Sequence, residues 1–363
     1  MSSPIRSVPF QEGGLLIAIL VLGILLTIFG GSVKAPKFET DAQGKRVRVM
    51  EVDASGQKVP AFETRNKFFN ARSLAKLAKD ASFVAIMAVG MTFVIVSGGI
   101  DLSVGSTYAF ASVLGAVVFR NTGTDGSMLP GILACLGAGA LGGFANGAMI
   151  VSLRVHPFII TLGTMAIYRG IAFVITKGQS IGGFPTSLRR FVGYEINGLS
   201  VVPLLVTIVV LILGAIYLTR MAAGRQIYAV GGNELATRYS GISVEKVKLT
   251  VFFVSGLTAG IAALMALGYY GAASSGDGQG YELNVIAAAV VGGASLTGGK
   301  GSALGAVLGA LIIQMITSGI DIVGIDKSYS QIIIGGVVIL AVVLDQLNER
   351  LAKARLLARS AKA

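Results

Sequence analysis

Two charged side chains stand inside apolar runs and could handle a polar solute. Asp101 lies in 97–105 (SGGIDLSVG), between two apolar stretches with almost no polar linker. A carboxylate at the centre of a membrane helix costs about 2.5–3.5 kcal/mol on insertion scales. Gly98 and Gly99 precede it and can unwind a helix, and such breaks survive at membrane depth only where they face protein or a watery cavity. Asp101, with Ser103 beside it, is therefore either a structural tie in a broken helix or a polar group lining a conduit. Arg169 follows Tyr168 within the apolar run 158–176. It either snorkels to an interface or lines the conduit, paired with Asp101.

Covalent and metal chemistry are poorly served. One His (His156) and one Cys (Cys135) are too few for a His-based triad, a zinc cluster or a disulfide scaffold, so neither a catalytic residue nor a metal site is expected. His156 beside Pro157 reads as a helix start. The run 298–302 (GGKGS) resembles a phosphate loop superficially. Such a loop needs Gly, four residues, then Gly-Lys-Ser/Thr, whereas position 294 is Ala and Gly301 follows Lys300. No nucleotide site is expected in this chain.

The elements that must hold these residues follow from composition. The chain has 363 residues, 53% hydrophobic and only 13% charged, with mean hydropathy +0.77. A soluble chain carries about 25% charged residues. The apolar residues also fall in blocks long enough to cross a bilayer, about 17–25 residues each. Candidate spans lie near 14–31, 81–98, 103–119, 129–152, 158–176, 200–219, 249–271, 284–295, 302–319 and 330–346. The fold class is all-α and polytopic, with eight to ten membrane helices, because the short runs 103–119 and 284–295 can be broken or re-entrant. The first run reads as a retained helix rather than a cleaved leader: only Arg6 precedes it, and Pro36 follows the faint small-residue site at 33–35.

The net charge of +12 does not indicate nucleic acid, since Lys and Arg are confined to loops and tails between apolar blocks. With the N-terminus inside, the cytoplasmic segments hold Arg6, Arg154, Arg220, Arg225, Arg238, Lys246, Lys248, Lys300 and the tail Arg350, Lys353, Arg355, Arg359 and Lys362. The opposite short loops hold Arg120, Lys177, Arg189, Arg190 and Lys327. Residues 32–80 carry eleven Lys or Arg yet fall outside, but long loops obey the charge rule poorly. The chain thus divides into a tail and first helix (1–31), an external insertion (32–80), a membrane domain (81–348) and a basic cytoplasmic tail (349–363).

Within the insertion, 45–52 alternates with period two, 53–56 (DASG) signals a turn, and 57–64 can return as a β-hairpin. Residues 69–79 (FNARSLAKLAK) read as a short interfacial helix entering the second span. The insertion is either solvated decoration or a contact surface for an external partner.

An internal repeat is visible without gaps. Residues 98–118 (GGIDLSVGSTYAFASVLGAVV) and 292–312 (GGASLTGGKGSALGAVLGALI) share Gly98, Gly99, Leu102, Gly105, Ala109, Val113, Leu114, Gly115 and Ala116 at an offset of 194. Transporters are often built from two related halves. If every span crosses, the two copies point the same way; if one is broken, they are inverted. Gly139, Gly143 and Gly147, and likewise Gly301, Gly305 and Gly309, recur every fourth residue, which lets helix backbones approach closely.

The segment 220–248 between two spans contains Asn233 as a helix cap, a short helix at 234–240 and Gly241 as its stop. Gly232, Asn233, Glu234, Ala236, Arg238 and Gly241 mark it. It is either a connector or a dock for a soluble motor domain, with Glu234 and Arg238 outward.

Residues 88–106 (AVGMTFVIVSGGIDLSVGS) strongly resemble the signature of ribose-, galactoside- and xylose-type permeases of ATP-binding-cassette importers. The likeness continues in 157–165 (PFIITLGTM), 168–170, 231–242 (GGNELATRYSGI) and 292–299 (GGASLTGG), and covers about 66–346. The resemblance implies a permease subunit working as a dimer with a second permease copy in the lipid bilayer of the inner membrane. A cytoplasmic ATPase would bind ATP and Mg, so this chain itself needs no cofactor. A periplasmic binding protein would deliver a monosaccharide, and 220–248 would couple to the ATPase. Related permeases also move branched-chain amino acids or nucleosides, but Ile100-Asp101-Leu102-Ser103 looks like the sugar branch. The charged insertion at 34–65 departs from a plain ribose permease and leaves the sugar, or a polyol such as inositol, open. Two other classes are a self-contained secondary transporter or channel, which needs titratable groups in several spans, and a membrane-embedded enzyme, which needs a clustered nucleophile or metal ligands.

Overall fold

The computed structural model describes residues 8–40, 46–53, 55–122, 128–196, 198–340 and 342–343. The basic tail expected at 349–363 lies outside the described residues. The helices are α1 (Val8–Phe29), α2 (Ala71–Val96), α3 (Val104–Thr122), α4 (Met128–Leu153), α5 (Pro157–Thr176), α6 (Thr186–Val192), α7 (Val201–Arg220), α8 (Ala222–Gly232), α9 (Glu234–Tyr239), α10 (Val244–Tyr270), α11 (Tyr281–Val291), α12 (Ala303–Val323) and α13 (Ser330–Leu340). Among them α1, α2, α4, α5, α7, α10 and α12 are long and apolar enough to cross a membrane. The chain is an all-α polytopic membrane protein.

Local chemistry starts the helices. Asn70 caps α2 by accepting from the Ser73 amide at 2.9 Å, and Ser302 caps α12 by accepting from the Gly305 amide at 2.9 Å. His156 caps α5, its Nδ1 accepting from the Phe158 amide at 3.3 Å, with Pro157 in the first turn. Packing sorts them: α2 is buried almost all round, whereas α1, α5 and α7 leave much of their apolar surface exposed. The helix expected at 69–79 begins at Ala71 and continues without a break into the second span as α2, and it is not wholly interfacial, since Lys79 is buried with its ammonium 2.8 Å from Asp80 and 4.1 Å above the Tyr269 ring.

α11 has 11 residues. At 1.5 Å per residue it spans about 16 Å, half of a hydrocarbon core of about 30 Å. The segment before it folds back into the bundle, so that Gly278 lies against Gly105 and Tyr108 of α3.

α4 and α10 are antiparallel partners. Gly139 meets Gly256 and Gly260, Gly143 meets Phe252 and Gly256, and Gly147 meets Leu249. A side chain at Gly143 would overlap the Phe252 carbonyl. Gly305 and Gly309 pack in the same manner on Gly292 and Ala288. Gly301 does not belong to that face: it precedes the cap Ser302, outside α12, and lies against Val96 and Ala294.

The repeat becomes two helical hairpins, α2–α3 and α11–α12. Each first helix ends on a glycine in the left-handed region, Gly98 (φ 83) and Gly293 (φ 95). Gly98 and Gly293 each donate three residues back, to Ile95 and Val290, and the next amides donate five back, from Gly99 to Val94 and from Ala294 to Ala289. This is a Schellman-type ending. The turns meet at one end of the bundle, where the Gly299 amide donates to the Val96 carbonyl at 2.8 Å. Both hairpins enter and leave that end in the same sense, so the copies are parallel, as in repeats related about the membrane normal. The gapless offset of 194 is corrected. Gly98 corresponds to Gly293, and because the second turn is longer, α3 begins at Val104 but α12 only at Ala303. Val113 and Val307 consequently occupy different turns of their helices.

Strands within 32–66 form three two-stranded arms, and the hairpin expected to turn after Val52 is one of them, accompanied by two more pairs. β1 (Ser32–Pro36) pairs with β6 (Phe62–Asn66), β2 (Phe38–Thr40) with β3 (Arg46–Arg48), and β4 (Met50–Val52) with β5 (Lys58–Pro60), all antiparallel. The alternating stretch breaks at Val49, because the arms join through a closed ring of backbone bonds: Lys37 donates to Ala61, Ala61 to Val49 and Val49 to Lys37, each at 2.9 Å. A fourth pair, β7 (Glu195–Ile196) with β8 (Leu199–Ser200), precedes α7.

Candidate functional site

The GG break buries Asp101 just inside the turn that joins α2 to α3. Its carboxylate lies level with Ser255, eleven residues beyond the start of α10, or about 16 Å along it. Asp101 is 1% exposed, and Ser103, Asn146 and Ser255 are fully buried. Asp101 Oδ1 accepts from the Ser103 amide at 2.9 Å and the Ser103 hydroxyl at 2.6 Å, while Oδ2 accepts from the Ser255 hydroxyl at 2.7 Å. With its one proton on Asp101, Ser103 Oγ accepts from Asn146 Nδ2 at 2.8 Å. The Tyr168 hydroxyl donates to the Gly142 carbonyl at 2.8 Å, with Asn146 Oδ1 at 3.3 Å. Its ring stacks on Phe110 with centroids 5.6 Å apart. The chain Tyr168–Asn146–Ser103–Asp101–Ser255 thus joins α5, α4, the α2–α3 turn and α10 through satisfied buried polar groups.

Arg169 does not pair with Asp101. The neighbouring Tyr168 faces the network, so Arg169 points elsewhere on the helix, and its Nη1 donates to the carbonyls of Ser275 at 2.7 Å and Asp277 at 2.6 Å. It clamps the segment between α10 and α11. Asn146 and Ser255 were missed in the sequence, where single polar residues in apolar runs carry no sign of the partner they face.

Where the glycine turns meet, α8 packs on α2, α7 and α10, and α9 lies on α8 and the start of α10. Gly231 packs so closely on Val96 and Gly299 that any side chain would overlap both. The Tyr228 hydroxyl donates to the Gly301 carbonyl at 2.7 Å. α8 is thereby keyed into both repeats. The next helix, α9, is capped by Asn233 Oδ1, which accepts from the Ala236 amide at 2.9 Å, and Gly241 follows its end at φ 83. Gly232 and Gly98 lie near this junction, while Gly99 packs on Val94 and Phe252.

Glu234 and Arg238 brace α9 against α10. Glu234 contacts Lys248 at 2.9 Å and Arg238 at 3.6 Å, and Arg238 Nη1 meets Glu245 Oε1 at 2.5 Å. The bond to Glu245 holds the Arg238 guanidinium above its ordinary pKa. Glu234 and Arg238 are exposed as expected, and Leu235, 62% exposed, and Tyr239, 82% exposed, stand out beside them. Leu235 and Tyr239 lie four residues apart, hence on one face. That spacing was the available sequence signal, masked by the more conspicuous charges.

Residues 73–342 match the family described as branched-chain amino acid transport system / permease component. The β arms lie outside the matched stretch. The ribose import permease protein of Escherichia coli K12 is 40% identical over 287 residues, covering 77% of this chain and 87% of the relative. The D-allose transport system permease protein of the same strain is 38% identical over 280 residues, covering 77% and 85%. The autoinducer 2 import system permease protein of Yersinia enterocolitica is 35% identical over 270 residues, covering 73% and 80%. No solved structure matches the chain. With this match over most of its length and its apolar spanning helices, the chain belongs to this family of inner-membrane permease components of ABC importers.

Proposed function

We propose that the chain carries a monosaccharide, or a related polyol such as inositol, across the inner membrane as the permease subunit of an ATP-driven importer. The sugar class is supported by the relatives named for ribose and allose. In this reading a second permease copy completes the path. A separate cytoplasmic ATPase binds ATP and Mg, and a binding protein delivers the solute from the opposite side. The observation that carries the reading is α9: a rigid, capped helix with Leu235 and Tyr239 outward, standing next to a helix keyed by Gly231 into both repeat turns. An apolar-aromatic pair of this kind suits a pocket on a soluble domain. A push on α9 would reach Val96 and Gly299 through backbone contacts, and through Gly98 and Gly99 the Asp101 network. Asp101 and Ser103 act as ties that let the α2–α3 break move as one piece.

The test is affinity purification of the tagged chain from its native membrane in mild detergent. An ATPase in equal amount is expected. Tyr239→Ala and Leu235→Ala should each weaken its retention by about tenfold, a loss of about 1.4 kcal/mol. ATP-independent uptake by the purified chain alone would overturn the reading in favour of a secondary transporter or channel.

A further inference from the structure

One cavity outside the Asp101 network has walls of unusual chemistry. It measures about 470 Å³, inside the roughly 300–1,000 Å³ range of small-molecule sites. It lies between α5, the segment preceding α11, and the first turn of α11, and is lined by Arg169, Phe173, Ser275, Gln279 and Glu282 among others. Glu282 Oε2 is buried and has no hydrogen-bond partner among the described residues. That oxygen is packed against Gly105 of α3, where a Cβ would sit 2.5 Å from it, so Oε1 is the oxygen the carboxylate offers to the cavity. Arg169 spends Nη1 on two backbone carbonyls, which leaves its other nitrogens for the cavity. The carboxylate and the guanidinium share the cavity without forming an ion pair with each other.

A carboxylate only accepts hydrogen bonds and a guanidinium only donates them. A simple cation would be repelled by Arg169, and a simple anion by Glu282. A hydroxyl donates and accepts at once, so a neutral molecule with several hydroxyls satisfies both. Gln279 is exposed at the same cavity with one acceptor and two donors, and Phe173 offers an exposed ring face.

We infer that this cavity is the subsite where a neutral, many-hydroxylated solute touches the permease: Glu282 and Gln279 accept from its hydroxyls, Arg169 donates to them, and Phe173 covers its apolar face. The inference rests on the sugar-importer reading above and deepens it. Gly105 ties the subsite to the coupling route, since it lies four residues beyond Asp101 and directly against Glu282.

The experiment is uptake of labelled ribose, allose, inositol and leucine by cells carrying the whole importer, with the permease replaced by Glu282→Gln, Gln279→Ala or Phe173→Leu. Permease abundance and co-purifying ATPase are measured in parallel. Leu283→Ala, on the same helix but outside the cavity, is the control. We expect normal assembly in all, and in the cavity variants a fall of about tenfold in uptake of the preferred sugar or polyol, or a comparable change in the ratio between two of them. Gln279 is exposed, so Gln279→Ala keeps the test decisive even where Glu282→Gln fails to accumulate. Wild-type rates in the accumulated cavity variants would overturn the subsite while leaving the sugar reading intact. Uptake of leucine and of none of the hydroxylated solutes by the unaltered importer would overturn both.

Discussion

Asp101 acts by holding three donor groups together rather than through reactivity. Both carboxylate oxygens are occupied, and Ser103 passes the connection on to Asn146. Asp101→Ala strands the Ser103 amide in a dry site and should destabilise the protein by about 1–3 kcal/mol, read as a lowered midpoint in detergent thermal melts. Asp101→Asn keeps the acceptor toward Ser103 and should cost less. Tyr168→Phe removes one buried bond, to Gly142, while keeping the stack on Phe110, and should cost about 0.5–1.5 kcal/mol in the same assay. Arg169 and Asp101 belong to separate clusters, so Arg169→Gln and Asp101→Asn should combine additively, within about 0.5 kcal/mol.

At the scale of elements, the short helix α9 and the β arms make opposite uses of polar residues. On α9 the exposed Glu234 and Arg238 tie the helix to α10 through surface ion pairs, and the apolar pair stands out beside them. Surface pairs contribute only about 0–1 kcal/mol, so Glu234→Ala and Arg238→Ala should loosen α9 less than Tyr239→Ala weakens docking, which retention of the ATPase will show. In the β4–β5 arm, Asp53 Oδ1 accepts from the Ser55 hydroxyl at 2.6 Å and from the amides of Ser55 at 2.8 Å and Gln57 at 2.9 Å. The Ser55 hydroxyl first, and then the Gln57 amide, hold the Asp53 carboxyl below its ordinary value of 3.8. A depressed folded pKa means the turn's added stability is present above 3.8 and disappears as pH falls through the lower folded value. Faster hydrogen exchange at Gln57 only below that point is the expected outcome. A similar loss near neutral pH would contradict it.

At the scale of the whole molecule, small residues set the spacing. Gly143 and Gly256 allow α4 and α10 to touch backbone to backbone. Gly143→Leu should overpack that contact and cost about 1–3 kcal/mol or more, visible as loss of folded protein from membranes. Orientation is open to a direct check, because the one native thiol, Cys135, is fully buried and gives no background. A thiol at Tyr239→Cys should react with a membrane-impermeant maleimide only after permeabilisation, and one at Val52→Cys in intact spheroplasts. The reverse pattern would invert the topology argued from Lys and Arg.

What the sequence determined by itself is what short-range physics controls. Apolar block length dictated a membrane protein of stacked helices, the glycine pair at 98–99 marked a helix ending, and Asn233 and Gly241 bracketed α9 to within one residue. Partners far apart along the chain were decided only by tertiary packing. Asp101 meets Ser255 across 154 residues, and Arg169 meets Asp277 across 108. The repeat register shifted for the same reason: a gapless match rewards identical letters, whereas the fold aligns helix endings and absorbs the difference in the longer turn. The outward face of α9 and the Glu282 Oε2 that finds no hydrogen bond among the described residues likewise depend on which sides α10 and Gly105 leave open. A charged residue reads the same in sequence whether it is a brace, a clamp or a ligand group, because its role is set by the neighbours that desolvate it.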